Sequence, residues 1–228
     1  TAELVAGERV LEIGPGEGAL TAELLSRGAV VHAIEKDHRL IPLLRERFAG
    51  QAATGHFFLQ EGDVLVGETE VETPYKLVAN IPYYITGAII EKFLSGDAQP
   101  STMTLLVQKE VAERIAREQK ESILSLSVKA YGSPKYIKTV PAGAFSPPPE
   151  VDSAILSIEN ISRHNFANPL HEKLYFELIH AGFAHKRKLV RRNLEKVLAN
   201  AAEEALLHAE IPLSARAEDI SLEKWLTL

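Results

Sequence analysis

The sequence contains no cysteine. Disulfides, thiolate catalysis and cysteine-ligated zinc are therefore excluded, and a reducing compartment fits. No stretch approaches the ~18 uncharged apolar residues that a membrane-spanning helix needs, so no membrane association is expected. The eight histidines are scattered, without a His-Glu-x-x-His or similar spacing, and no metal is expected. No signal-peptide pattern precedes the first strand-like run, and residue 1 is Thr1 rather than methionine. The chain therefore reads as a cut or processed cytoplasmic protein. Internal repeats and low-complexity tracts are also missing.

The 228 residues present are 46% hydrophobic and 25% charged, enough apolar material for a sizeable core in one large or two small domains. The charge is unevenly spread. Residues 185–196 hold Lys186, Arg187, Lys188, Arg191, Arg192 and Lys196 against one acid, Glu195. That window is +5 in a chain of net −6, which leaves −11 for the remainder. An acidic body with one dense basic segment suits a localised anion-binding face.

Over the first 160 residues, short β-rich runs alternate with helix-period runs. Strands are expected at residues 9–13, 29–35, 56–59, 75–79 and 102–107, and helices at 19–27, 39–48, 86–94 and 109–117. In the second helix Leu40, Leu43, Leu44 and Phe48 recur at helical spacing. This alternation predicts an α/β fold, a parallel Rossmann-like sheet with helices on both faces. A helix is then expected at 122–131 and strands at 135–140 and 151–158, pairing as an antiparallel hairpin at the sheet edge. The prolines between those strands, in Phe145-Ser-Pro-Pro-Pro-Glu150, demand a stiff extended loop. From about residue 163 the pattern is helical, including 169–181 and 186–199, and predicts a small all-helical C-terminal domain. The expected domains are thus 1–162 and 163–228.

Four groups of residues carry chemistry. Glu12-Ile-Gly-Pro-Gly-Glu-Gly18 follows a strand and opens a helix, where glycines let the backbone turn sharply and approach a ligand. The spacing of Gly14, Gly16 and Ala19 also satisfies a relaxed dinucleotide fingerprint, so the loop alone does not choose among adenosine cofactors. Glu35 ends the next strand, where a carboxylate can accept both ribose hydroxyls. Asp63 closes the third; alone it would more often cap a helix or turn, but it is one of a series of polar residues at successive strand ends. Asn80-Ile-Pro-Tyr83 follows the fourth strand. Asn80 and the carbonyls flanking Pro82 present acceptors in a fixed geometry, and Tyr83 offers a flat face. A planar base with an amino group fits such a site, its hydrogens held so that the nitrogen lone pair faces an electrophile.

The ordered set Glu12 to Gly18, Glu35, Asp63, Asn80 to Tyr83 and Phe-Ser-Pro-Pro-Pro-Glu-Val-Asp-Ser (145–153) resembles the rRNA adenine N6-dimethyltransferases, and within them the bacterial small-subunit family. The resemblance runs over essentially the whole chain, including the basic stretch 183–194 and the ending at Trp225. It implies a class I methyltransferase domain using S-adenosylmethionine. Gly14 and Gly16 would border the cofactor, Glu35 its ribose and Asp63 its adenine amine, with Glu12, Lys36, Val64 and Asn80 completing the set. Asn80 and Pro82 would hold the target amine while Tyr83 and Phe145 stack on an extruded adenine. The implied substrate is two adjacent adenosines near the 3′ end of small-subunit rRNA in an assembling 30S particle, giving N6,N6-dimethyladenosine. One departure stands at the start: eight residues precede Arg9, and the Gly-Gln-Asn-Phe-Leu-like motif usual before the first strand is not among them. The expectation is that this segment is omitted here.

Among the remaining features, Lys186, Arg187, Lys188, Arg191 and Arg192, extended by Arg114, are expected to contact RNA phosphates, the sequence-independent part of such binding. Trp225 is expected to pack the helical domain. No apolar stripe is evident, so a monomer is expected. Three rivals remain: the same chemistry on large-subunit rRNA, a non-catalytic assembly or transcription factor on this scaffold, and, more distantly, a dinucleotide oxidoreductase.

Overall fold

A computed structural model describes residues 2–67 and 69–228. The chain divides into two compact units, Thr1–Ala112 with Pro134–Ile161 and Glu113–Ser133 with Ser162–Leu228.

The first unit is built on a seven-stranded sheet: β1 (Arg9–Ile13), β2 (Val30–Glu35), β3 (Phe57–Glu61), β4 (Lys76–Asn80), β5 (Thr102–Gln108), β6 (Ser133–Val140) and β7 (Ser153–Glu159). Their order is β3-β2-β1-β4-β5-β7-β6. Strands β1 to β5 pair in parallel, whereas β7 runs antiparallel to β5. The two late strands are neighbours at the end of the sheet as expected, but the later one enters beside β5 and leaves β6 at the edge. β1 and β4 both lead away from the sheet centre in opposite directions, which opens a crevice at their C-terminal ends.

Strands buried on both faces explain the nearly continuous apolar runs. One face sets Val10, Val31, Ala33 and Val78 against Leu24 of α1 (Ala19–Ser26), Leu44 of α2 (Ile41–Arg47) and Phe48. Side chains alternating to the other face, among them Leu11, Leu77 and Met103, are fully buried as well. The helix expected over 39–48 is shorter, Ile41–Arg47, because the Phe48 backbone (φ −111°, ψ 22°) leaves helical geometry before α3 (Ala49–Ala53). α4 (Thr86–Ser95) buries the stripe Ile89, Ile90, Phe93 and Leu94, and α5 (Lys109–Ala116) follows β5.

The second unit holds α6 (Ile123–Tyr131), α7 (Pro169–Phe183), α8 (Val190–Leu198), α9 (Ala202–His208) and α10 (Leu222–Thr227). It includes Glu113–Ser133, which the boundary expected at 162/163 assigns elsewhere. The reason is packing distant in sequence. Tyr175 Oη donates to the Leu126 carbonyl, Asn165 Nδ2 to that of Ala130, and Ser162 N–H to that of Tyr131. Tyr131 itself is buried against Phe166 and Phe176. Trp225, also buried, packs in this unit as expected, against Phe183 and onto Gly182, where a Cβ would lie 2.4 Å from the indole. Among the described residues no helix is long and apolar enough to cross a membrane.

Candidate active site

The C-terminal ends of β1 to β4 bring the predicted residues together in two linked groups. After β1 the chain turns at Gly14, Gly16 and Gly18, all with positive φ (66°, 60° and 84°). A Cβ on Gly14 or Gly16 would meet no atom within 4 Å, so the loop faces open space there. At Gly18 a Cβ would stand 2.5 Å from the Phe48 ring, so this glycine seats the loop on the core instead. Glu35, at the end of β2 and 7% exposed, accepts from Gly16 N–H (3.1 Å) and Asp37 N–H (2.8 Å). It thereby holds the glycine loop as well as ending its strand.

Glu12 lies fully buried beneath this loop. Its Oε2 accepts from Thr21 Oγ1 of α1 at 2.7 Å, while Oε1 has no hydrogen-bond partner among the described residues. Burial pushes its carboxyl up to about 7, with the Glu35 charge adding to the shift and the Thr21 bond opposing it. An unsatisfied buried carboxylate oxygen beside open backbone is suited to a ligand carrying donors or positive charge. At the end of β3, Asp63 accepts from Leu65 N–H (2.9 Å) and pairs with Lys36 Nζ (2.8 Å). The Lys36 bond holds the Asp63 carboxyl below its ordinary range. Val64 beside it is buried. This pair closes the rim across β2 and β3.

The second group centres on Asn80, exposed at the tip of β4. Pairing continues one residue beyond it, with Ile81 N–H donating to the Leu106 carbonyl (3.3 Å), so the Asn80 backbone is held by the sheet. Pro82 (φ −54°, ψ 130°) then directs the chain into a single 3₁₀ turn, Tyr83–Ile85. Asn80 and Phe145 line one cavity of about 480 Å³, walled by Leu20, Leu24, Val78 and Leu106. Pro82 and Tyr83 lie outside its lining; Tyr83 is half-buried and its hydroxyl shares a 2.7 Å hydrogen bond with Ser153 Oγ. Tyr84, 86% exposed, stands close enough to add to the raised pKa of Lys36, behind the larger effect of Asp63.

The basic residues belong to the second unit, and their setting differs from the expected helix over 186–199. α8 begins only at Val190, and Lys186, Arg187 and Lys188 stand exposed in the turn after α7. Asn193 explains the break: its buried Nδ2 donates to the carbonyls of Gly182 and His185, capping the end of α7 and tying the turn to α8. Arg192 is exposed, whereas Arg191 is half-buried and engaged by Glu195 and Glu203. Arg114 is half-buried on α5. Lys120 pairs with Glu218, and with Arg216 and Lys186 it keeps that carboxyl below its ordinary value. Four residues of interest escaped the sequence reading: Thr21, Tyr84, Ser153 and Arg216. Only Ser153 lay within a quoted motif, and nothing in its type foretold a partner seventy residues away.

Against known proteins, the family model for ribosomal RNA adenine dimethylases matches residues 1–228. The chain belongs to the ribosomal RNA adenine dimethylase family. It is an enzyme of that family, and the sequence resemblance agrees with this. It is 42% identical over 232 residues to ribosomal RNA small subunit methyltransferase A of Dehalococcoides mccartyi (strain CBDB1), covering 98% of this chain and 78% of that one. The protein of the same name from Synechocystis sp. is 39% identical over 238 residues, covering 97% and 82%. Among solved structures, the 23S rRNA methyltransferase ErmE matches with a TM-score of 0.77 at 29% identity, over 99% of this chain and 91% of that one. A dimethyladenosine transferase from Plasmodium falciparum matches the fold with a TM-score of 0.79 at 24% identity, over 99% and 90%. The α/β sheet expected from strand–helix alternation and the class I methyltransferase architecture implied by the resemblance are therefore both present.

Proposed function

We propose that this adenine dimethylase transfers methyl groups from S-adenosylmethionine to N6 of two adjacent adenosines near the 3′ end of small-subunit rRNA, in an assembling 30S particle. The observation that carries this reading is the cavity that Asn80 and Phe145 line together, at the end of β4 next to the strand β1 that carries the glycine loop. The cofactor residues fit their role. The open space before Gly14 and Gly16 admits a ligand, Glu12 offers an unpartnered buried oxygen, and Glu35 and Asp63 stand at successive strand ends with Lys36 and Val64 beside them. When bound, S-adenosylmethionine would supply an electrophilic methyl carbon, its S–CH3 bond breaking to leave S-adenosylhomocysteine while the methylated nitrogen gives up one proton to solvent.

Everything else falls to this chain. The Pro82 carbonyl already accepts Ile85 N–H (3.1 Å), and the two amine hydrogens are assigned to the Asn80 side-chain oxygen and the neighbouring Ile81 carbonyl. Drawing those hydrogens aside rehybridises the nitrogen and aims its lone pair, so the rate gain comes from orientation and electrostatics rather than a strong base. Tyr83 and Phe145 hold the base by stacking once it has left its helix. The second unit supplies phosphate contacts through Arg114, Lys186, Arg187, Lys188, Arg191 and Arg192. The enzyme acts as a cytoplasmic monomer.

The structural likeness to ErmE supports large-subunit rRNA as a second reading. The higher identity to relatives named small subunit methyltransferase A supports the first. The deciding experiment incubates the protein with labelled S-adenosylmethionine and unmethylated small subunits or 23S rRNA, then identifies the nucleosides by mass. N6,N6-dimethyladenosine from small subunits alone is expected; product only from 23S rRNA would select the second reading. Asn80→Ala should keep cofactor affinity largely intact, losing one of several contacts, yet lose turnover by roughly a hundredfold or more, and full activity of that variant would remove Asn80 from the mechanism.

A further inference from the structure

Two aromatic residues are asked to grip one base, yet they arrive on separate loops 62 residues apart in sequence, Tyr83 after β4 and Phe145 before β7. A planar guest stacks well only if both carriers are held at a fixed separation. Both are tied to the same dipeptide. Ser153, fully buried at the first position of β7, shares the 2.7 Å hydrogen bond with the Tyr83 hydroxyl. Asp152, one residue earlier, accepts Ala142 N–H on Oδ1 (3.0 Å), at the start of the short 3₁₀ turn Ala142–Ala144 that delivers Phe145. The dipeptide is itself anchored. Ser153 is paired across the sheet with Gln108, and the Asp152 carbonyl accepts Lys109 N–H at 3.0 Å. Since β5 also holds Asn80, through the pairing of Asn80 with Leu106, one strand carries the reference frame for all three.

We infer that Asp152 and Ser153 are positioning residues that set the gap between Tyr83 and Phe145 into which the target adenine enters. This rests on the adenine-methylating reading above. A stacking tyrosine needs only its ring; its hydroxyl matters here because the Ser153 bond pins the far end of the ring and stops it from swinging away about the Cα–Cβ bond. The polar side chains of this dipeptide thus act through the aromatics, and neither touches the base.

The test compares Ser153→Ala, Ser153→Thr, Tyr83→Phe and the double variant Ser153→Ala/Tyr83→Phe, with Asp152→Ala and Asp152→Asn. For each, turnover on unmethylated small subunits, S-adenosylmethionine affinity, thermal midpoint and fluorescence of an RNA carrying 2-aminopurine at the target position are measured. Ser153→Ala and Tyr83→Phe should each lower turnover by roughly tenfold, with cofactor affinity unchanged and 2-aminopurine quenching reduced. The double variant should be no worse than either single one, since both remove the same bond. Ser153→Thr and Asp152→Asn, which keep the needed oxygen, should restore most of the loss. Wild-type turnover and quenching in Ser153→Ala, or losses that simply add in the double variant, would overturn the inference. If Ser153→Ala fails to fold, Tyr83→Phe reads the same bond from its other end. Should the wild-type protein methylate no adenosine, the proposed function fails, and quenching alone then decides whether the dipeptide positions the rings.

Discussion

Glu12 shows how a single side chain can be both costly to the fold and suited to the site. The family resemblance implies it as a ligand contact, but not that Thr21 would cap one oxygen and leave the other without a partner among the described residues. With its carboxyl raised from 4.5 to about 7, the folded protein holds a proton that the unfolded chain releases between those values. The contribution of Glu12 to stability is therefore greatest below the lower value, falls as pH rises through the window, and levels off above it. Glu12→Gln should abolish this trend, so that the variant gains on the wild type by up to about 3 kcal/mol between pH 4 and pH 8. Denaturant melts at the two pH values measure this, and an equal difference at both would show that Glu12 titrates normally. Asn80 is the opposite case. Its residue type, its place after a strand and the following Ile-Pro-Tyr were enough to single it out before any contact was known.

The glycine loop divides its labour among residues of one type. Gly14 and Gly18 both need a left-handed backbone, which costs a substituted residue about 1–2 kcal/mol. Only Gly18 also presses on the core, at Phe48. Gly18→Ala is expected to destabilise the protein by about 2–4 kcal/mol from strain and overpacking together, read as a fall in thermal midpoint. Gly14→Ala should unfold more nearly like the wild type but bind S-adenosylmethionine more weakly, measured by calorimetry, because its methyl group enters the open side of the loop. A larger stability loss at Gly14 than at Gly18 would refute this division. The turn after α7 teaches a related lesson. The charges at 186–188 have the composition of a helix, but Asn193 bonds to the carbonyls that would continue α7 and ends it there. An asparagine at that spacing looks like any helix residue until its partners are placed.

Across the molecule, acidic and basic residues are sorted by position in the chain, with +5 in residues 185–196 against −6 overall. If the exposed turn carries the RNA phosphates, replacing Lys186, Arg187 and Lys188 by alanine should weaken binding to small-subunit rRNA at every sequence. It should also flatten the dependence of log affinity on log salt by about 2 to 3. Titrations at several salt concentrations give that slope; an unchanged slope with normal folding would place the RNA elsewhere. S-adenosylmethionine affinity should not move, since the cofactor residues belong to the other unit.

Local information was sufficient for the parallel sheet, the glycine turn, the acidic strand ends and the Asn80 motif. Each rests on periodicity or on a residue whose backbone or side chain has few alternatives, and such signals survive without a tertiary context. The assignment of Glu113–Ser133 to the second unit, the entry of β7 between β5 and β6, the break before α8 and the bond from Tyr83 to Ser153 were not legible. All four are set by contacts between segments distant in sequence or by one side chain satisfying another element's backbone. Tyr131 could be recognised as a core residue, but which core it joins depends on Phe166 and Phe176 meeting it in space. Pairing energies of that kind exist only once the chain has folded, and so the tertiary structure alone decides them.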